Sequence, residues 1–455
     1  MQTSPFSNDR LPPSFVLAQP DRVIAACASG FEAWSMLGVR DRLARLQAIK
    51  EPLRNAASEL THIAARELGS SEQWVRLNLL YSERQIDQLE QLVEQLEASA
   101  SNAQPVEKSR VVRQAVGVVL GIAPWNAPIT LAFRAILPAL MCGNTVVLVS
   151  SAHCPELHRR VIQVCRDAGL PEDVLGLVEA QTDDPDFFAT LISHPAIRRI
   201  NFTGSSRVGR LIALEAARNL KRAVLELSGK AAMIVLPDTD EQHVIDAACF
   251  GAFFNQGQIC MSTENLILVN HPNPGDFDQR LVAHMTQVTK LRRESLGSVI
   301  TTEAVSRLLS LIEDAVNCGA KVLVGGRHQG TFIEPTILSD VTSEMRIYHE
   351  EIFGPILCIT HVTDVDQAVF RANDTEYGLA ASIYTEDLQQ AHKIAARLET
   401  GIVQINGPTL HDDPQFPFGG VKSSGYGRFG GTAVIDEFTE LRWIGVHSTG
   451  TSPSL

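Results

Sequence analysis

The sequence predicts an α/β protein of more than one lobe, built on parallel sheets. Two observations carry this reading. Through the middle of the chain, short apolar runs suited to buried strands alternate with segments of helix length, the order that parallel sheets require. At 455 residues, the chain also exceeds the roughly 250–300 residues at which single cores stop growing. Hydrophobic residues make up 45% and charged residues 20%, with 31 Gly and 22 Pro spread along the chain, a globular composition without low-complexity tracts.

Taken in order, residues 41–68 carry apolar positions at helical spacing, and Ile86, Leu89, Val93 and Leu96 continue it, so the first hundred residues are expected to be mainly helical. From Val106 to Val119, β-branched residues with interspersed charge suggest an extended, half-exposed hairpin. Strands follow at Val146–Val149, Ile200–Phe202, Val224–Leu227 and Met233–Leu236, separated by helix-length segments such as Cys154–Ala168. After Cys260 a second α/β set is expected, with a helix at Glu303–Cys318 and strands near Lys321–Val324 and Ile356–His361.

Composition removes several function classes. A formal charge of -13 at pH 7, with no long basic run, argues against a nucleic-acid partner. Ala115–Phe133 runs without a charge for about the length of a membrane span, but Pro124, Asn126 and Pro128 interrupt it, so no membrane association is expected. The opening MQTSPFSNDRLPPS lacks a basic region followed by an apolar one, so a cytoplasmic location is expected. The eight cysteines show no CxxC pair or close framework spacing, which suits free thiols. HExxH, GxSxG and GxxxxGK[ST] are absent, and the scattered histidines suggest no metal site.

Four places could carry chemistry. Gly204 and Ser205, in Phe202–Gly209, sit between a strand and a helix, where helix amides can meet a phosphate; an ordinary strand-to-helix turn has the same pattern. Cys260, in Asn255–Met261, lies on a polar, Gly-containing segment that suits a reactive thiol better than the apolar helical faces of Cys165 and Cys249, though it could equally be a small buried hydrophobe. Glu226 falls inside an apolar strand, either desolvated and usable as a general base or alternating to solvent. Asn126, between Pro124 and Pro128, is either a turn residue or an amide donor for an oxyanion.

Together and in order, these segments resemble the aldehyde dehydrogenase superfamily over nearly the whole chain. The resemblance rests on Gly121–Asn126, Phe202–Ser205, Glu226–Lys230, Gly257–Cys260, Glu350–Pro355 and Pro417–Lys422. It implies Cys260 as nucleophile, Glu226 as base for deacylation, and Asn126 as side-chain donor of an oxyanion hole completed by the Cys260 amide. It implies NAD as cofactor, with NADP possible: Trp125, Gly204, Ser205 and Leu227 would line its cleft, Glu351 would hold the nicotinamide-side ribose, and Phe353 would pack nearby. The phrases Pro124–Pro128 with Arg134, Gly257–Glu264, and Asn406–Thr409 look most like benzaldehyde, vanillin and salicylaldehyde dehydrogenases, implying an aromatic or hydrophobic aldehyde. Trp74, Arg134 and Phe418 fall where the family builds its substrate tunnel; Arg134 could meet a polar or anionic substituent, or be a helix-surface charge, while Trp74 and Phe418 could equally be core.

There are departures from the family pattern. Val149 and Ala152 stand where the family usually places a lysine and often a glutamate on the adenosine ribose. Ser228 replaces a usual glycine and could crowd or hydrogen-bond Glu226. The chain also begins later than most relatives. The organisation implied by the resemblance is a Rossmann-type cofactor domain (1–103 and 118–227), an α/β catalytic domain (228–420), a β-flap for oligomerisation (104–117 and 440–455) and a return to the cofactor domain (421–439). Exposed strand edges on such a flap point to a homodimer or homotetramer. Two other readings stay open: a binding protein that keeps the fold but has lost the cofactor, and an acyl-enzyme that passes its acyl group to coenzyme A or performs only ester hydrolysis. Glu226 argues against the coenzyme A route, since that acceptor makes water activation unnecessary.

Overall fold

The computed structural model describes residues 20–101, 109–180 and 185–446. Six helices between Pro20 and Ser101 precede two main sheets. One sheet has six strands, in the order Gly425–Tyr426, Arg222–Glu226, Ile197–Thr203, Val118–Ile122, Thr145–Ser150 and Leu175–Glu179. Its five longer strands are parallel, and only the short Gly425–Tyr426 runs antiparallel, with Gly425 opposite Glu226. Thr145–Ser150 and Val118–Ile122 are buried along their whole length, which is why they read as continuous apolar runs: helices cover both faces. Gly121 allows one of those helices to approach, since a Cβ there would lie 3.1 Å from Ala135 Cβ.

The second sheet has seven strands, running from Ile402–Ile405 through Ala380–Tyr384, Ala231–Val235, Thr263–Val269, Ile356–Val362 and Thr336–Ser339 to Lys321–Val324. All its neighbours are parallel except the last pair. No described helix is long and apolar enough to cross a membrane; the uncharged stretch after Ala115 divides into strand Val118–Ile122 and helix Pro128–Met141.

Among the described residues, the hairpin expected at 106–119 is not formed. Residues 106–108 lie outside the described residues, and the remainder belongs to two different sheets. Arg110–Ala115, charged and partly exposed, pairs antiparallel with Thr439–Ile444 from the far end of the chain. Val118 and Val119, apolar and buried, enter the six-stranded sheet instead. The break between them is Gly117, whose φ of 130° suits glycine.

Candidate active site

Strands Val118–Ile122 and Ile197–Thr203 are neighbours, but the chain proceeds from them to opposite sides of the sheet: Val118–Ile122 leads to Thr145–Ser150 on one flank, Ile197–Thr203 to Arg222–Glu226 on the other. A crevice opens beyond the carboxyl ends of strands at such a reversal. After Ile122 the chain turns through Trp125 and Asn126 into helix Pro128–Met141, with Pro128 in the first turn, where its missing N–H costs nothing. After Thr203 it turns at Gly204 into helix Ser206–Arg218, with Ser205 as N-cap accepting from Val208 N at 3.3 Å. The Gly204 N–H donates to the Glu226 main-chain oxygen at 3.0 Å, so this turn and the end of the next strand are tied together.

Cys260 arrives from the other sheet. The loop before it holds three consecutive left-handed residues, Asn255 (φ 51°), Gln256 (φ 55°) and Gly257 (φ 66°). Strain of this kind, about 1–3 kcal/mol at a non-glycine residue, persists only where surrounding contacts dictate it. Here the Gln258 amide donates to Asn255 O and Ser298 O at 3.2 and 2.9 Å. Gly257 is required by close approach: a Cβ would lie 2.2 Å from Gly354 O.

These segments meet around a cavity of about 310 Å³ lined by Trp125, Asn126, Gly204, Ser205, Glu226, Leu227, Ser228, Cys260, Arg307, Glu351 and Phe353, with Pro124 and Thr203 completing it. All nine residues read from the sequence as catalytic or cofactor-contacting therefore line one space. Glu226 is 1% exposed, which excludes the solvent-facing alternative. Burial pushes its carboxyl pKa up, opposed mainly by the positive charge of Arg134. Neither of its oxygens has a partner at full hydrogen-bond geometry; the Cys260 thiol and the Thr203 hydroxyl approach it more loosely. Burial, and then the Glu226 charge, hold the Cys260 thiol well above its ordinary range, with Arg134 again opposing. The other helix and strand cysteines lie in the core, among them Cys165 and Cys249. Asn126 is fixed at both ends: Nδ2 donates to Gln258 O at 3.1 Å, and its main-chain oxygen accepts from Trp74 Nε1 at 2.8 Å.

Opposite Cys260, the Glu351 carboxylate accepts from Gly229 N at 2.9 Å and from the Ser228 hydroxyl, while burial and then the nearby Glu264 push its pKa up to about 7. Ser228 thus bonds Glu351, and its Oγ accepts from Ser206 N at 3.3 Å. The expected contact of Ser228 with Glu226 is replaced by these two bonds, because the chain turns away at the strand end and directs the hydroxyl toward the helix Ser206–Arg218. Phe353 packs edge-on against Trp125, ring centroids 5.9 Å apart at 89°.

A second cavity of about 370 Å³ shares Pro124, Trp125, Thr203, Gly204 and Ser205 with the first and extends past Ser150–His153, Val208 and Leu211. Together they are of a size to hold a dinucleotide. The residues fit that group: a helix N-terminus opens on the crevice, the Ser150 hydroxyl in its wall is buried without a partner, and the wall at Gly204 is flush, a Cβ there lying 2.5 Å from the Phe202 ring. Ala152 lines this cavity, whereas Val149 is wholly buried in the apolar layer beneath it.

Residues 14–444 match the aldehyde dehydrogenase family. The chain belongs to that family. It is 43% identical over 442 residues to vanillin dehydrogenase of Pseudomonas sp. (strain HR199), covering 95% of this chain and 90% of that one. It is 35% identical to the benzaldehyde dehydrogenase [NAD(+)] of Pseudomonas putida, covering 93% and 88%. The crystal structure of a salicylaldehyde dehydrogenase from Pseudomonas putida G7, complexed with salicylaldehyde, superposes with a TM-score of 0.89 at 37% identity, covering 96% and 91%.

In this aldehyde dehydrogenase the three residues read as substrate-tunnel candidates stand outside the cavity around Cys260. Trp74 is buried, edge-on to Phe254 at 5.5 Å, and with Phe254 and Ile259 forms an apolar cluster bordered by Leu77, Ala127 and Leu410. Arg134 is no helix-surface charge: it is buried, ion-paired with Asp412, and lies over the Phe418 ring at 4.2 Å. Sequence reasoning singled out neither Lys230, Glu264, Arg307 nor Asp412. Lys230 and Glu264 stand inside motifs already quoted, and two opposite charges within apolar strand surroundings were the available signal. Arg307 lines the cavity and donates to Glu351 O at 3.1 Å and to Ile352 O.

Proposed function

We propose that this aldehyde dehydrogenase oxidises aromatic aldehydes to carboxylic acids with NAD or NADP, through a thioester on Cys260. The observation that carries the reading is the convergence of Cys260, Glu226 and Asn126 on one cavity continuous with a dinucleotide-sized crevice.

In this reading Cys260 loses its proton as it attacks the aldehyde carbon. The burial that keeps the thiol neutral at rest makes the adjoining Glu226 carboxylate the natural acceptor. The oxygen of the resulting thiohemiacetal becomes negative. The Cys260 backbone N–H and the second Nδ2 hydrogen of Asn126, whose first is spent on Gln258 O, are its donors. Bound NAD or NADP supplies the electron-pair acceptor that turns this adduct into a thioester. Once it has given that first proton up to solvent, Glu226 takes another from water attacking the thioester carbon and passes it to the departing thiolate, which releases the acid and restores the thiol. Trp125, Gly204, Ser205, Leu227 and Phe353 shape the crevice, and Glu351 offers a carboxylate to a ribose hydroxyl. An aromatic substrate is supported by relatives named for vanillin, salicylaldehyde and benzaldehyde. The same reading assigns 1–103 with 118–227, and 421–439, to the cofactor lobe and 228–420 to the catalytic lobe. It assigns pairing of copies to the flap, whose described strand Thr439–Ile444 exposes Leu441 and Trp443.

The test is absorbance of reduced nicotinamide after mixing the protein with benzaldehyde, salicylaldehyde, vanillin and an aliphatic aldehyde, each with NAD and with NADP, beside Cys260→Ala. Reduction that vanishes in the variant is expected, fastest with the aromatic substrates. No reduction, together with no cofactor binding by calorimetry, would instead favour a scaffold that has lost its dinucleotide.

A further inference from the structure

The catalytic reading leaves one buried ion pair unused. Lys230 Nζ lies 2.9 Å from Glu264 Oε2, with side chains 0% and 5% exposed. Removing two charges from water costs more than a well-packed apolar pair would, so the pair is not explained by stability alone. What surrounds it gives another reason. Glu264 Oε1 accepts from two successive amides, Ile352 N at 2.8 Å and Phe353 N at 3.1 Å, while Lys230 also donates to Glu350 O at 2.7 Å. Phe353 has a left-handed φ of 48°, a conformation disfavoured for an aromatic residue. A turn of this kind aims consecutive N–H groups at one point and forms a small anion-binding concavity. Glu264 fills it. The pair therefore dictates a backbone shape that the sequence of the turn would not choose.

That turn carries Glu351 and Phe353, both on the cavity wall, with Phe353 against Trp125. Lys230 is four residues after Glu226, and Glu264 four after Cys260. Each element that brings a reacting side chain thus also sends a charge beneath the same turn. We propose that Glu264 is a positioning residue and Lys230 the counter-ion that its buried charge requires: by accepting from the Ile352 and Phe353 amides, Glu264 holds Glu351 and Phe353 in the geometry that binds the nicotinamide half of the dinucleotide. This rests on the function proposed above.

Two uncharged double variants isolate the grip from the charge. Lys230→Met with Glu264→Gln keeps an oxygen acceptor for the two amides; Lys230→Met with Glu264→Leu keeps volume and loses the acceptor. NAD affinity is read by calorimetry, and the environment of Cys260 by its rate of alkylation with iodoacetamide in the absence of cofactor. The Gln variant is expected to bind NAD within about threefold of the parent and the Leu variant about tenfold or more weakly, with alkylation within about twofold in both. Equal NAD affinity in the two variants, a tenfold loss in the Gln variant, or a parallel fall in alkylation would overturn the proposal. Absence of NAD binding by the parent protein would count against the function itself rather than against this assignment.

Discussion

Trp74 and Asn126 are 52 positions apart, yet the Trp74 indole Nε1 donates to the Asn126 main-chain oxygen at 2.8 Å. The bond crosses from helix Glu72–Gln88 to the turn before helix Pro128–Met141 and fixes the backbone from which the Asn126 amide reaches toward Cys260. Trp74 therefore supports the oxyanion donor from behind, its ring packed edge-on against Phe254. Trp74→Phe keeps most of the ring and removes the donor. It is expected to cost about 1 kcal/mol of stability, the usual net worth of one such bond, and to lower kcat more than it raises the aldehyde KM. Thermal melts and steady-state kinetics check this; an unchanged kcat with a raised KM would reduce Trp74 to a substrate wall.

Glu226→Gln removes the proton acceptor for both the Cys260 thiol and the later water but leaves the nucleophile and both oxyanion donors in place. Steady-state turnover is expected to fall about 10²–10⁴-fold, the range for a general base, and the acyl-enzyme should accumulate. Intact-mass spectrometry after mixing with aldehyde and cofactor reads the added acyl mass. Slow turnover without that adduct would mean that the earlier of its two roles, taking the Cys260 proton, limits the reaction and that deacylation does not.

Local pattern narrowed Glu226, within an apolar strand, to two readings, desolvated or solvent-facing, and it took the folded chain to decide between them: Glu226 is 1% exposed. The parallel strands were legible because burial on both faces makes them uniformly apolar. The pairing of Arg110–Ala115 with Thr439–Ile444 was legible only through the family resemblance, which joined 104–117 and 440–455 in one flap, because nothing local to either strand specifies a partner more than three hundred residues away; the β-branched run through Val119 disguised the break at Gly117. Ser228 was misdirected toward Glu226 for a related reason: adjacency in sequence says little about direction once a strand ends, and its partners Ser206 and Glu351 come from two remote segments. Arg134 carried a charge on a predicted helix, and only its meeting with Asp412 explains how it is buried.

Glu351 supplies a test of stability against pH. Its folded pKa is raised to about 7 from an ordinary 4.5, chiefly by burial. The folded protein thus retains a proton that the unfolded chain releases, so this group's contribution declines as pH rises from about 4.5 to about 7. Glu351→Gln cannot ionise and loses that dependence. Relative to the parent, the variant should melt higher at about pH 8 than at about pH 5 in cofactor-free protein. A difference in melting temperature that does not change with pH would show that Glu351 is already ionised across the range.

The Arg134–Asp412 pair sets the charge behind the reacting groups. Arg134 lowers the pKa of both Glu226 and Cys260, and Asp412 raises that of Glu226, so the two partners oppose each other at the base. Asp412→Asn leaves the guanidinium unopposed. The Glu226 carboxyl then ionises at lower pH, and because a base must be ionised to work, the acid limb of the pH–kcat profile should move down. Arg134→Leu should move it up, since Asp412 and desolvation then act together. Both variants lose stability, by about 3–5 kcal/mol where a buried pair is broken, so profiles are to be taken well below each variant's melting temperature. Opposite displacements from two similarly destabilised proteins cannot come from loosened packing, which would move both limbs alike. Displacement in the same direction would place the effect in structure rather than in charge.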